Sequence, residues 1–337
     1  MRHGGDIAEA VRLYGRAREH WLDLSTGINP HAYPIPADDL SAEIARLPDS
    51  GDLKRLNTAA RSTYRVPEGA GIVPAPGSQA IIQWLPVVLA GDGPVAIVAP
   101  TYGEHGETWR RAGRTVVEID NPSEAPPEAA IVVVCNPNNP DGRFHDADAL
   151  RPLADRLRRS GGWLVVDEAF VDLCPKRSLV GLAADYPVVI LRSFGKFFGL
   201  AGLRLGFALA PAALADRLMT ALGPWAVSAP AFAAGMHALG DDAWQTEMRA
   251  RLKREADELD RTVARAGLTE AGGTALYRLY RAREAGALHR RLAEQGIWTR
   301  VFDDRDDWIR LGLPGSPERL ARLADALSRR HEPADGT

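Results

Sequence analysis

Between residues 70 and 210 the chain alternates short apolar runs with stretches of helical period. The runs are Ile72-Val73-Pro74, Val95-Ala96-Ile97-Val98, Thr115-Val116-Val117-Glu118-Ile119, Ile131 to Cys135, Trp163-Leu164-Val165-Val166, Val188-Val189-Ile190-Leu191 and Leu205-Gly206-Phe207-Ala208. Most are nearly continuous in Val, Ile and Leu, the pattern of strands covered on both faces rather than strands with one wet face. Helical segments lie between several of them, Asp146 to Arg159 among these. Repeated βαβ units of this kind predict an α/β fold, a mostly parallel sheet with helices on both sides.

The texture changes after Pro224. A polar helical stretch from Ala243 to Ala266 carries Met248, Leu252, Ala256, Leu259 and Val263 at spacings of three and four. Short strand candidates follow (Ala275 to Tyr280, Ile297 to Val301, Trp308 to Leu313), then a closing helix from Pro317 to Arg329. The expected organisation is an N-terminal arm over 1–35 that packs with the small domain, a large domain over 36–225, and a smaller α+β domain over 226–337. There is no internal repeat and no low-complexity segment.

Composition narrows the function classes. The 337 residues are 45% hydrophobic and 25% charged, an ordinary globular balance. A formal net charge of −3 offers no field for nucleic acid or an anionic membrane, so neither is an expected partner. The first residues lack the apolar core of a signal peptide, and no uncharged apolar stretch reaches the ~20 residues of a membrane helix. The two cysteines, Cys135 and Cys174, form no CxxC pair or metal cluster. They are expected to be reduced thiols in a cytoplasmic protein without a bound metal.

Four clusters fall at the ends of predicted strands, where open α/β sheets bind ligands. They are Pro76-Gly77-Ser78-Gln79; Asn136 to Gly142; Asp167-Glu168-Ala169-Phe170; and Ser193-Phe194-Gly195-Lys196 followed by Gly202-Leu203-Arg204-Leu205-Gly206. Singly these read as a cap, a turn, a strand end and a surface lysine. Together, in this order, they fit one cofactor. Pyridoxal phosphate needs an amine, a carboxylate to keep its pyridine nitrogen protonated, and an anion cradle. Lys196 supplies the amine and Asp167 the carboxylate. Ser78 and Gln79, at a helix N-terminus, offer N–H groups and side-chain hydrogen bonds to the phosphate, completed by Ser193 and Arg204. Asn139 is placed to donate to the ring 3′ oxygen, and Tyr102 to stack on the ring face.

Asn139-Pro140-Asp141-Gly142, Asp167-Glu168-Ala169-Phe170 and Ser193-Phe194-Gly195-Lys196 resemble the signatures of the class I and II aminotransferases, of pyridoxal-phosphate fold type I. More narrowly, His3-Gly4-Gly5-Asp6, Thr26-Gly27-Ile28-Asn29-Pro30 and Pro224 to Ser228 resemble the threonine-phosphate decarboxylase branch of cobalamin biosynthesis, close to the histidinol-phosphate aminotransferases. Three positions depart from the family pattern. Asp141 stands where a threonine is usual. Phe170 stands where many relatives have a tyrosine, leaving Asn139 as the donor to the 3′ oxygen. Leu47, before Pro48-Asp49, stands where relatives carry a tyrosine that reaches the phosphate across a dimer.

The resemblance also implies the substrate side. Arg310 matches the arginine that grips the substrate α-carboxylate. Arg300 matches a second arginine aimed at the distal anion, joined by His3, while Asn29 helps fix the substrate near the ring. The implied protein is a homodimer acting on a small phosphorylated amino acid by decarboxylation. A histidinol-phosphate-type transamination and a non-catalytic cofactor-binding regulatory module are the alternatives, and residue types alone do not choose between the first two.

Overall fold

This computed structural model describes residues 4–328. The chain forms two compact units. The larger is Ala32–Thr246; the smaller joins Met1–His31 to Glu247–Thr337, of which residues 4–31 and 247–328 are described.

The described chain begins in the smaller unit with helix α1 (Ile7–Tyr14) and strand β1 (Leu22–Asp23). Asp6 caps α1, its carboxylate accepting from the Glu9 N–H at 3.0 Å. The apolar face of α1 places Ile7 and Ala10 against Ala293 and Trp298 of the same unit.

Helices α2 (Ala37–Ile44) and α3 (Ser50–Tyr64) open the larger unit. Asp49 and Asp52 cap α3 reciprocally, each carboxylate accepting from the other's backbone N–H. Asp52 is fully buried and pairs with Arg46 and Arg55, both at 2.5 Å. The hydrogen bond from Arg46 is the main reason its carboxyl is held down at about 2.

Seven strands follow: β2 (Ala70–Ala75), β3 (Val95–Val98), β4 (Val116–Ile119), β5 (Ile131–Cys135), β6 (Trp163–Asp167), β7 (Val188–Ser193) and β8 (Gly206–Pro211). The helices among and after them are α4 (Ser78–Val88), α5 (Glu104–Arg111), α6 (Ala147–Ser160), α7 (Phe194–Phe197), α8 (Ala212–Leu222) and α9 (Ala229–Gly240). The strands form one sheet in the order β2-β8-β7-β6-β5-β3-β4. β8 runs antiparallel to both neighbours, and every other pairing is parallel. On one face Ile81 and Leu85 of α4 and Leu214 and Leu218 of α8 pack on Val73, Val133, Val165 and Val189. The alternate residues Val132, Val134, Leu164, Val166 and Ile190 are buried too, so both faces are covered. That is why these strands read as continuous rather than alternating apolar runs.

The texture change after Pro224 does not mark the compact boundary, which falls at 246/247. Residues 226–246 stay with the larger unit because α9 packs its buried face on α2 and α3. Helix α10 (Asp242–Arg265) then carries the chain into the smaller unit. There β9 (Thr269–Thr274), β10 (Tyr277–Arg281), α11 (Ala285–Glu294), β11 (Ile297–Trp298), β12 (Arg300–Phe302), β13 (Arg305–Gly312) and α12 (Pro317–Ser328) complete the chain order. Four of the strands form an antiparallel sheet, β12-β13-β10-β9, while β11 pairs in parallel with β1. No helix among the described residues is long and apolar enough to cross a membrane.

Candidate active site

In the larger unit the expected cofactor residues gather at one edge of the sheet. β2, β3, β5, β6 and β7 all end there and β8 begins there, so the loops after the first five and before the last converge. They carry Ser78 and Gln79 after β2, Tyr102 after β3, Asn139 after β5, Asp167 at the end of β6, Ser193 and Lys196 at the end of β7, and Arg204 before β8.

Gly77 precedes α4 and has no side chain to cap it, so first-turn N–H groups are left for a ligand. Two glycines let the chain close in around this point. A Cβ on Gly77, which has φ +81°, would meet Arg204 Nη2 at 2.7 Å, and one on Gly206 would meet the Ser78 nitrogen at 2.3 Å. Arg204 holds a left-handed backbone, φ 55°, and its guanidinium donates to the Ala201 carbonyl at 3.1 Å. An arginine kept in so sparsely populated a conformation is a mark of a site that needs it there.

Asp167 is almost wholly buried, and burying a carboxylate is expensive unless it is paired. Its partner is His105, also fully buried, with Nε2 2.9 Å from Asp167 Oδ2; the other oxygen accepts from the Ala169 N–H at 3.0 Å. A ring nitrogen of His105, Cys135 Sγ and an Asp167 oxygen lie within 4.8 Å of one another. Burial works against charging His105, yet Cys135 and Asp167 raise it above the ordinary imidazole range. Sequence reasoning did not single out His105, which the structure brings against Asp167. The following Glu168 anchors the same turn from beneath, accepting from the Leu179 N–H at 2.6 Å and the Ser178 hydroxyl at 2.7 Å.

Asn139 sits in a loop closed by its neighbours. Asn138 donates to the Pro100 carbonyl at 2.9 Å and to Asp141 Oδ1 at 2.8 Å, and accepts from the Thr101 hydroxyl at 2.7 Å. Asp141, the departure from the family threonine, also accepts from the Arg143 N–H at 2.9 Å and pairs with its Nε at 2.8 Å. The substitution thus builds the turn that carries Asn139. Lys196 Nζ lies 5.9 Å from the centre of the Phe170 ring, an apolar neighbour where a tyrosine would bring a hydroxyl.

The expected substrate residues are in the smaller unit. Arg300 and Arg310 are directly opposite one another across β12 and β13. Arg310 is buried over the Tyr277 ring and donates to the Ser25 carbonyl at 2.7 Å. Burial, and after it the charge on Arg300, lower its affinity for a proton. Ser25 also binds the Gly5 N–H through its hydroxyl at 2.7 Å, which draws the start of the arm to the same place. Asn29 is buried and accepts from the His31 N–H at 2.9 Å. His3 lies outside the described residues. Leu47, in the larger unit, is 65% exposed.

This residue set fits pyridoxal phosphate: an uncapped helix start with a guanidinium beside it for the phosphate, a buried hydrogen-bonded carboxylate for the ring nitrogen, and a lysine in the short helix α7 that follows β7. The comparisons agree. The family model for "Aminotransferase class I and II" matches residues 20–327. The chain belongs to that family. It is 42% identical over 336 residues to a threonine-phosphate decarboxylase of Pseudomonas aeruginosa, covering 99% of each chain. It is equally identical to one from a Sinorhizobium species, over 97% of each. A histidinol-phosphate aminotransferase of Cronobacter sakazakii matches at 29% identity, over 95% of this chain and 92% of that one. Among solved structures, the histidinol-phosphate aminotransferase of Sinorhizobium meliloti, in complex with pyridoxal-5′-phosphate, superposes with a TM-score of 0.83 over 97% of this chain and 94% of its own. At 20% identity that likeness speaks for the fold alone.

Proposed function

We propose that the protein is a pyridoxal-phosphate-dependent decarboxylase that converts L-threonine O-3-phosphate to (R)-1-amino-2-propanol O-2-phosphate and CO2 for cobalamin biosynthesis. The observation that carries this reading is the 42% identity along essentially the whole chain to enzymes of that name, against 29% for the histidinol-phosphate aminotransferase.

Bound pyridoxal phosphate supplies a sink for the electron pair left on the α-carbon when CO2 departs. Asp167 would hold the proton on the ring nitrogen, and the His105 Nε2–H keeps that carboxylate aimed. Lys196 anchors the cofactor and moves protons at the α-carbon. The N–H groups of Ser78 and Gln79, the Ser193 hydroxyl and the Arg204 guanidinium bind the phosphate. Asn139 donates to the ring 3′ oxygen and Tyr102 covers a ring face. Arg310 takes the substrate carboxylate, Arg300 and His3 its phosphate, and Asn29 helps fix it. Two guanidiniums in register across one strand pair suit a substrate with two anions. These anchors would choose the reaction by fixing how the substrate's α-carbon is held in the site.

The assembly we propose is a cytoplasmic homodimer. Its support is the set of large apolar side chains on the larger unit that a lone chain leaves to water: Ile44, Leu47, Val87 and Trp225, with Trp84 partly so.

The test is incubation with pyridoxal phosphate and threonine phosphate, with and without 2-oxoglutarate. CO2 release independent of 2-oxoglutarate, with no glutamate formed, is the expected result, and borohydride should then fix the cofactor to Lys196. Faster turnover of histidinol phosphate with 2-oxoglutarate would overturn the assignment.

A further inference from the structure

The first turn of α4 shows a division of labour that the motif does not reveal. Gln79 was expected to reach the phosphate with its side chain, yet that carboxamide is engaged at both ends. Its Oε1 accepts from the Tyr102 hydroxyl at 3.1 Å, and its Nε2 donates to Glu104 Oε2 at 3.1 Å. The orientation is forced, because only the amide nitrogen can donate to a carboxylate, which turns the oxygen to the phenol. Glu104 is itself held. Its Oε2 takes Arg111 Nη2 at 3.1 Å and Gln83 Nε2 at 3.4 Å, and Gln83 also donates to the Thr108 hydroxyl at 3.0 Å. Gln79 and Gln83 are one turn apart on α4, and Glu104, Thr108 and Arg111 share one side of α5, so a strip of side-chain bonds staples the two helices. The loop carrying Tyr102 leads into that staple. Burial, and then Glu104, push the Tyr102 hydroxyl up to about 12, so it remains a donor across the working pH range. The ring is further fixed edge-on to His105, with centroids 6.0 Å apart.

We propose that the Gln79 side chain is a positioning residue for Tyr102: the chain Arg111–Glu104–Gln79–Tyr102 sets the plane of the aromatic ring that covers the cofactor, and only the Gln79 backbone N–H serves the phosphate. This rests on the pyridoxal-phosphate reading of the site. The separation of phosphate binding from ring binding is what can be measured. Two non-covalent probes isolate them, 4-deoxypyridoxine 5′-phosphate and 4-deoxypyridoxine, neither of which reacts with Lys196. Their dissociation constants would be taken by fluorescence for the wild type, Gln79→Ala, Tyr102→Phe and the double variant, with Gln79→Met as a same-length alternative should Gln79→Ala unfold.

Because one neutral and one charge-assisted bond are lost, Gln79→Ala should weaken both probes by a similar factor, roughly three- to tenfold. Tyr102→Phe keeps the ring but not the hydroxyl and should match it, and the double variant should be no worse than either single change, since both break one link. Weakening confined to the phosphorylated probe would make Gln79 a phosphate ligand and overturn the proposal, as would losses that multiply in the double variant. If the wild type bound neither probe, the cofactor reading itself would fall, and the positioning role with it.

Discussion

Replacing Asp167 by Asn tests the centre of the proposed chemistry with little change of shape. The amide fills the same volume at the end of β6; its single oxygen can still accept from the Ala169 N–H while its NH2 faces His105, whose Nε2 accepts in the other neutral tautomer, so the fold should survive. What disappears is the charge. The buried carboxylate faces His105 at 2.9 Å, and almost no solvent reaches either group. A hydrogen bond to a charged group contributes about 1.5–3 kcal/mol, roughly twice a neutral one. The bond from the cofactor's protonated ring nitrogen would fall from the first kind to none, since an amide does not hold that proton against water. Only stabilisation gained as the α-carbon acquires its electron pair affects kcat, and loss of the ring-nitrogen proton removes that gain, so the loss should appear there. At 1.36 kcal/mol per decade, that is a decrease in kcat of roughly 10- to 160-fold. The assay is CO2 release at saturating threonine phosphate, with cofactor occupancy checked by absorbance. KM should change little, because Asp167 does not hold the substrate. Full occupancy with less than about a tenfold loss of kcat would refute the pairing of Asp167 with the ring nitrogen.

Two further outcomes follow from other parts of the molecule. Arg300→Ala should raise KM for threonine phosphate by about ten- to a hundredfold and barely affect unphosphorylated threonine, whereas Arg310→Ala should impair both; equal damage to both substrates by both changes would make the arginines structural. Asp52, depressed to about 2 when folded, contributes stability that is complete above the ordinary carboxylate range near pH 4 and is lost as pH falls toward 2. Asp52→Asn should therefore lower Tm at neutral pH and flatten the acid limb of a Tm-against-pH curve, and an unchanged acid limb would place that limb elsewhere.

The strands of the large sheet were legible because burial on both faces writes itself as unbroken Val, Ile and Leu. β9 was not, since Thr269-Glu270-Ala271-Gly272-Gly273-Thr274 carries two glycines and only its last residue is buried. The boundary after α9 was hidden for a related reason: an alanine-rich helix shows no preference for one unit over another until its partner helix is known. In the site, the motifs marked Lys196, Asp167, Ser78 and Arg204 because each belongs to a short run with its own signature. His105 has none. Its meaning comes from Asp167, 62 residues further on, and a histidine among polar neighbours declares nothing by itself. Gln79 was visible as a residue, but the direction of its side chain depends on partners 23 and 25 positions away.

The smaller unit is made from both ends of the chain, and this bears on how the protein is synthesised. β1 pairs with β11 through Leu22 and Ile297. The larger unit, by contrast, is one contiguous segment. As the chain leaves the ribosome, that segment can condense as a local unit, whereas Leu22 and Leu24, buried at the end, must wait for Ile297 and Trp298, which are made after it. Residues 4–31 are therefore made well before the strand they pair with and are among the last to fold. A product that stalls near residue 246 would own a complete sheet and an unmatched apolar arm, the kind of species that chaperones hold and proteases clear.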